Sequence, residues 1–317
     1  MHILFKSFAA IFISACIAMS SAIAAEDVPY LLTVAAKGDI AIVNAMLASG
    51  ASANTKDEDG VTALMYAARK DNVAVASALI SSGAEVNAKD NGGWTPLMFA
   101  AKKNNVATAQ LLLGKGADAK ARDITGWSAF GIAAVSGFSE TVDLLVKHGV
   151  DVNTKSDDGK TVLMHAAKSG DISTIKTLLD NKADVLAQDK LGTTALMIAA
   201  REGHVPAVEL LAHRGVLINQ KDLSKWTALT WAVKKSQYET AKILIEAGAD
   251  VNNLDTEGTP LLHLAVDNGK ADMVKLLLGN KAKVKAKDQY GLTALVYALK
   301  GQYTEIIKLI KDAGGSY

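Results

Sequence analysis

A skeleton returns along this chain every 33 residues with no insertion or deletion: Leu97 has counterparts at Leu31, Leu64, Phe130, Leu163, Leu196, Leu229, Leu262 and Leu295. A fixed period of this length means that one small supersecondary unit is copied, and such a unit buries its apolar face only against its neighbours. The 317 residues are therefore read as one elongated array from residue 27 onward, not as two globular domains. Half of the residues are hydrophobic but only 5% are aromatic, so each layer of the core is thin and filled by Ala, Leu, Ile and Val.

One unit shows the local logic. Thr95 is placed to cap a first helix, and Pro96 suits its first turn, where a missing N–H is no loss. Ala100-Ala101 recurs as Ala67-Ala68, Ala133-Ala134, Ala166-Ala167 and Ala199-Ala200, side chains small enough to let neighbouring helices approach. A second helix carries paired apolar positions on one face, for example Ile175 followed by Leu178-Leu179. It ends at a glycine column, Gly50, Gly83, Gly116, Gly149, Gly215, Gly248 and Gly314, where a left-handed residue closes the helix.

Asp90-Asn91-Gly92-Gly93-Trp94-Thr95-Pro96-Leu97, the Ala100-Ala101 pair, Leu112-Leu113 and Gly116-Ala117-Asp118 together resemble the ankyrin repeat family. The resemblance covers the chain from residue 27 to its end, and it implies an all-α ankyrin-repeat solenoid of helix-turn-helix units joined by β-hairpin-like loops. The reading divides the chain into a signal peptide (1–24), an N-terminal capping unit (25–56), seven repeats (57–287) and a C-terminal capping repeat (288–317). Lys311 stands where other units hold apolar residues such as Ile80 and Leu278, which gives the last unit a wetted face. Lys182 and Lys281 occupy the closing-glycine column, where a left-handed turn strains each by about 1 kcal/mol.

Lys6, the apolar run from Phe8 to Met19 and Ala22-Ile23-Ala24 read as an export leader with a cleavage site near Ala25. Two rivals are lipidation at Cys16, because Ile13-Ser14-Ala15-Cys16 resembles a processing box, and retention of the run as an anchor. Each places the repeats in the periplasm or outside the cell, and contact with a membrane is expected only if the leader is retained or Cys16 is lipidated. Cys16 is the only cysteine, and no Asn-X-Ser/Thr acceptor occurs, which favours a bacterial periplasm. Removing Lys6 with the leader leaves 33 basic against 33 acidic residues, so no bulk attraction to a polyanion, nucleic acid included, is expected.

The residues point away from catalysis, cofactors and metals. His148, His165, His204, His213 and His263 fall in different repeat columns without metal-ligand spacing. His263 occupies a position that the resemblance assigns to a hydrogen bond tying loops together, and Met65, Met98, Met164 and Met197 replace it elsewhere by packing. His165 shares a column with Tyr66, Phe99, Ile198 and Trp231 and is expected to be a satisfied core histidine. Asp57-Glu58-Asp59 and Asp157-Asp158 are expected to be solvated loop residues.

Two features rise above the scaffold. Trp94, Trp127 and Trp226 share one column after the loop glycine (Lys225 in the last case), expected at the hairpin tips, and tryptophan is a preferred binding anchor. The alternative is that each ring fills space between hairpins. A basic ladder follows the paired alanines: Arg69, Lys70, Lys102, Lys103, Lys168, Arg201, Lys234, Lys235 and Lys300, interrupted at Val135-Ser136 and Asp267-Asn268. The resemblance puts both on a concave groove; lysines near a helix carboxyl end also simply favour the dipole. The expected function is a non-enzymatic scaffold, monomeric, binding a protein partner that presents an acidic patch. The rivals are an inhibitor or immunity protein occluding a toxin or degradative enzyme, and a binder of an envelope polyanion.

Overall fold

The computed structural model describes residues 29–317, and the leader, its cleavage point and Cys16 lie outside them. The described residues form eighteen helices in nine antiparallel pairs. The first helices of the pairs are α1 (Tyr30–Lys37), α3 (Ala63–Arg69), α5 (Pro96–Ala101), α7 (Ala129–Val135), α9 (Val162–Ser169), α11 (Ala195–Glu202), α13 (Ala228–Lys234), α15 (Leu261–Asp267) and α17 (Ala294–Lys300). The second helices are α2 (Ile40–Ala48), α4 (Val73–Ser81), α6 (Val106–Gly114), α8 (Ser139–Lys147), α10 (Ile172–Asp180), α12 (Val205–Ala212), α14 (Tyr238–Glu246), α16 (Ala271–Gly279) and α18 (Thr304–Asp312). First helices stack on first helices and second on second, so the expected all-α solenoid is the fold.

Helices this short are unstable alone, and their ends and packing hold them. Thr62, Thr95, Ser128, Thr161, Thr194 and Thr227 each accept the N–H three residues on, as the Thr95 cap with Pro96 behind it leads one to expect. The paired alanines of α3, α5, α7, α9 and α11 are 0% exposed, the close helix approach that their size permits. Lys182 and Lys281 are left-handed, at φ 65° and 68°, in the turns that glycine closes elsewhere. Lys311 is exposed on α18.

Loops between pairs are hairpins pinned by one carboxylate. Asp90 Oδ1 accepts the N–H of Gly92 at 2.9 Å and of Trp94 at 2.7 Å, and Asp123, Asp189, Asp222, Asp255 and Asp288 repeat the arrangement. Antiparallel bridges such as Lys56 with Thr62 and Lys155 with Thr161 complete the turn. Adjacent hairpins join tip to tip by a backbone bond: Asn91 N–H to Asp59 O, Ile124 to Gly92, Lys190 to Asp158, Leu223 to Leu191 and Thr256 to Ser224, all at 2.9–3.2 Å. Gly93 (φ 79°) permits that approach, since a Cβ there would sit 3.1 Å from Asp123 Cα. No such bond joins Thr125 to Asp157 or Glu257 to Gln289.

A second set of clamps runs behind the hairpins. Asn87 donates to Gly116 O at 3.0 Å and accepts from Asp118 N–H at 2.8 Å, and Asn54, Asn219 and Asn252 each clamp the following repeat in the same way. Lys120 stands in this column between Asn87 and Asn153 and forms no such clamp. The junction between hairpins 123–127 and 156–160 therefore lacks both ties. Arg122 still spans it, donating to Gly126 O at 2.9 Å and to Lys155 O at 3.2 Å, as Lys89, Lys155 and Gln188 span their own junctions.

Candidate binding face

The three tryptophans do not lie at the hairpin tips. Each is on the returning limb, held by its backbone N–H on the hairpin carboxylate, and each ring is half-buried. The tips carry Ile124, Leu191, Leu223 and Tyr290, which are 66–78% exposed and which the repeat pattern alone did not single out. Trp94 sits edge-on to Phe99 at 5.3 Å between centroids, and Trp226 edge-on to Trp231 at 4.7 Å. In both pairs the supporting ring lies on the first helix of the same repeat. Trp127 instead leans across the junction onto His165, at 5.0 Å, because its own repeat offers Ile132 at the matching position.

Trp94, Trp127 and Lys102 are brought together. They wall a cavity of about 470 Å³ with Ile124, Ile132 and Val135. Val135 is 42% exposed, and it stands at one of the two interruptions of the basic ladder. The interruption is thus an apolar notch set between lysine rungs, with two indole rings as its sides. Such a notch can seat an apolar side chain while the rungs beside it attract acidic neighbours.

The other ladder residues divide. Arg69 lies over the Tyr66 ring at 4.7 Å, and Arg201 over the Trp231 ring at 5.4 Å, so cation and ring do share a surface at two places. Arg201 also pairs with Glu202 at 3.0 Å, which offsets part of its charge. Lys70, Lys103, Lys168, Lys234, Lys235 and Lys300 are exposed and do not line the notch. Arg201, Trp226 and Trp231 make a separate cluster farther along the array.

Several side chains expected to be inert do structural work. Asp57 is not merely solvated: its Oδ1 accepts Val61 N–H at 2.8 Å and its Oδ2 accepts the Tyr66 hydroxyl at 2.9 Å. Burial, and then that bond, push the Tyr66 pKa above its ordinary value, while the bond to Asp288 pushes Tyr297 up to about 12. Met65, Met164 and Met197 do more than pack, because each sulfur accepts the N–H of its helix cap at 3.3–3.5 Å. His263 Nε2 meets Leu292 O at 3.0 Å and ties its helix to the next hairpin, as the resemblance implied. His148, His204 and His213 each also hold a backbone carbonyl.

His165 departs from the expectation of a satisfied core residue. Its Nε2 is buried and has no hydrogen-bond partner. Burial pulls its pKa below the ordinary histidine value and keeps the ring neutral near pH 7. Among the described residues, no three His, Cys, Asp or Glu side chains gather in a group that would hold a metal ion, and no helix is long and apolar enough to cross a membrane.

A family model described as ankyrin repeats (3 copies) matches residues 31–123, 115–189, 185–255 and 247–316. No curated protein matches the chain.

Proposed function

Since the chain belongs to the ankyrin-repeat family, whose repeats are general protein–protein interaction modules, we propose that it holds a protein partner on the face formed by its hairpins and first-helix ends, with the notch between Trp94 and Trp127 as anchor. The observation that carries this reading is the notch itself: an exposed Val135 between two indoles, with Lys102 at its rim. Half-buried rings with fixed neighbours lose little freedom on binding, which favours them as anchors. Exposed Ile124 extends the apolar surface to the hairpin tip, and exposed Lys102 at the rim favours a partner with an acidic residue beside an apolar side chain. The activity proposed is holding a partner, without chemical conversion.

The leader supports a place in the cell envelope, where the chain would act as a scaffold for an envelope protein. Occluding a toxin or degradative enzyme there would use the same face.

The test is crosslinked affinity capture from the native envelope with the intact protein and with Val135→Lys, which plugs the notch by adding a rung at an exposed site. Trp94→Ala, Trp127→Ala and Trp226→Ala are tested together in parallel after matching helical content. A protein retained by the intact form and lost at least tenfold with Val135→Lys supports the notch. Equal capture by every form removes it. The exposed lysines specifically favour a second reading, binding of an envelope polyanion, in which affinity falls steeply with salt and ignores Val135→Lys.

A further inference from the structure

Four polar side chains share the first-helix column that faces the hairpin: Tyr66, His165, Trp231 and Tyr297. In three of these repeats the carboxylate that begins the hairpin takes their proton donor. Tyr66 donates to Asp57 Oδ2 at 2.9 Å, Trp231 Nε1 to Asp222 Oδ2 at 2.9 Å, and Tyr297 to Asp288 Oδ2. The fourth hairpin begins with Ser156. Its hydroxyl is engaged by Asp158 and by Lys160 O, and Asp158 is in turn paired with Lys160. Nothing replaces the missing carboxylate, and His165 Nε2 stays buried and unpaired; the four other histidines of the described chain each hold a carbonyl through one ring nitrogen, although His263 Nδ1 is also buried without a partner. A buried polar nitrogen without a partner is a costly arrangement to keep.

Nε2 itself has no contact with solvent, but the junction beside the ring is open. The tip-to-tip bond is absent between Thr125 and Asp157, and a Cβ at Gly126 would meet nothing closer than Asp157 Oδ2 at 3.6 Å. A cleft of about 270 Å³ results, with Trp127 and His165 among its walls. It is lined by three basic side chains, Arg122, Lys155 and Lys160, against two acidic ones, Asp157 and Asp158. Hydrogen bonds from Lys160 and Ser156 hold Asp158 well below the ordinary carboxylate range, so it is an occupied acceptor and not a free acid.

We propose that this cleft receives a glutamate or aspartate side chain of the partner, whose carboxylate takes the place that Asp57, Asp222 and Asp288 fill in their own repeats and accepts the hydrogen bond of His165. The indole face of Trp127 covers the methylenes of that side chain, and Arg122 and Lys155 complement its charge. That the carboxylate arrives on a protein rests on the function proposed above; the carboxylate chemistry of the cleft does not. Occupation favours imidazolium, so binding takes up a proton and tightens as pH falls through the His165 pKa. Asp157 and Asp158 reinforce that protonation, while Arg122, Lys155, Lys160 and Lys168 oppose it.

The test follows the His165 ring nitrogens by NMR in the whole protein. The probes are acetate and N-acetyl-glutamate amide, with N-acetyl-glutamine amide as control. Both carboxylates are expected to shift the ring signals saturably and raise the His165 pKa by about one unit, and the glutamine probe to do neither. Ser156→Asp restores the residue type that the other hairpins use; it is expected to raise the pKa by a similar amount without ligand and to abolish the response to both acids. An unresponsive ring in the unaltered protein, or an unchanged pKa in Ser156→Asp, overturns the carboxylate site. Neither result bears on Val135→Lys, so the notch is judged separately. Undiminished capture of the partner by Ser156→Asp overturns the assignment of the carboxylate to that partner.

Discussion

The junction between hairpins 189–193 and 222–226 and the junction between hairpins 123–127 and 156–160 share one backbone plan and differ in how they close. At the first, Leu223 N–H reaches Leu191 O at 3.0 Å, and Asp222 gathers the N–H groups of Ser224 and Trp226 with the indole of Trp231. At the second, the tip bond is gone, Ser156 stands for the aspartate, and Trp127 leans on a histidine whose Nε2 is unpaired. A repeat array can thus keep its period while one unit exchanges internal bonding for an open, polar cleft. The core beneath is indifferent to the exchange: Leu163 and Leu196 are 1% and 3% exposed, and the alanine pairs are fully buried at both places.

The largest difference between the two junctions is expected on Asp222→Ala. Asp222 is 8% exposed and accepts three bonds, so its loss is expected to cost about 3 kcal/mol, whereas Ser156→Ala costs under about 1 kcal/mol. Urea unfolding of the two variants measures the difference, and similar losses would mean that the two hairpins are held alike. A smaller effect comes from supplying the open junction with the clamp it lacks. Lys120→Asn would face Gly149 O and Asp151 N–H as Asn87 faces Gly116 and Asp118, and it is expected to stabilise by about 1 kcal/mol. A lower melting midpoint would show that the junction is too wide for the clamp. Smallest is Lys182→Gly, which relieves a φ of 65° but adds backbone freedom to the unfolded chain. The net gain is about 0.5 kcal/mol, and an unchanged or lower midpoint would count against strain at that turn.

The fold was legible because its determinants repeat: the leucine column, the capping threonines and the alanine pairs each appear many times in register, so each copy checks the others. The left-handed lysines were legible for the same reason, as exceptions in a glycine column. The tryptophan column was visible, but its depth was not. A ring one residue before the helix cap lies on the inner limb, and the support it finds depends on a second column five residues on. Where that column offers Phe99 or Trp231 the indole stays in its own repeat; where it offers Ile132 it crosses to the next. The cleft was harder still. Asp157-Asp158 reads as an acid cluster, yet the informative residue is Ser156 beside it, and its meaning lies in a partner nine residues away.

The two missing backbone tip bonds, at 125/157 and at 257/289, divide the row into a bonded rod of three hairpins, a bonded rod of four and the single last hairpin. Amide exchange should trace those joints, with Asp157 and Gln289 unprotected while Asn91, Ile124, Lys190, Leu223 and Thr256 exchange slowly. A load drawn along the row would be taken up first at these two joints, which yield without the rupture of a backbone tip-to-tip bond, only side-chain ties from Arg122 to Lys155 O and from Gln289 to Glu257 spanning them.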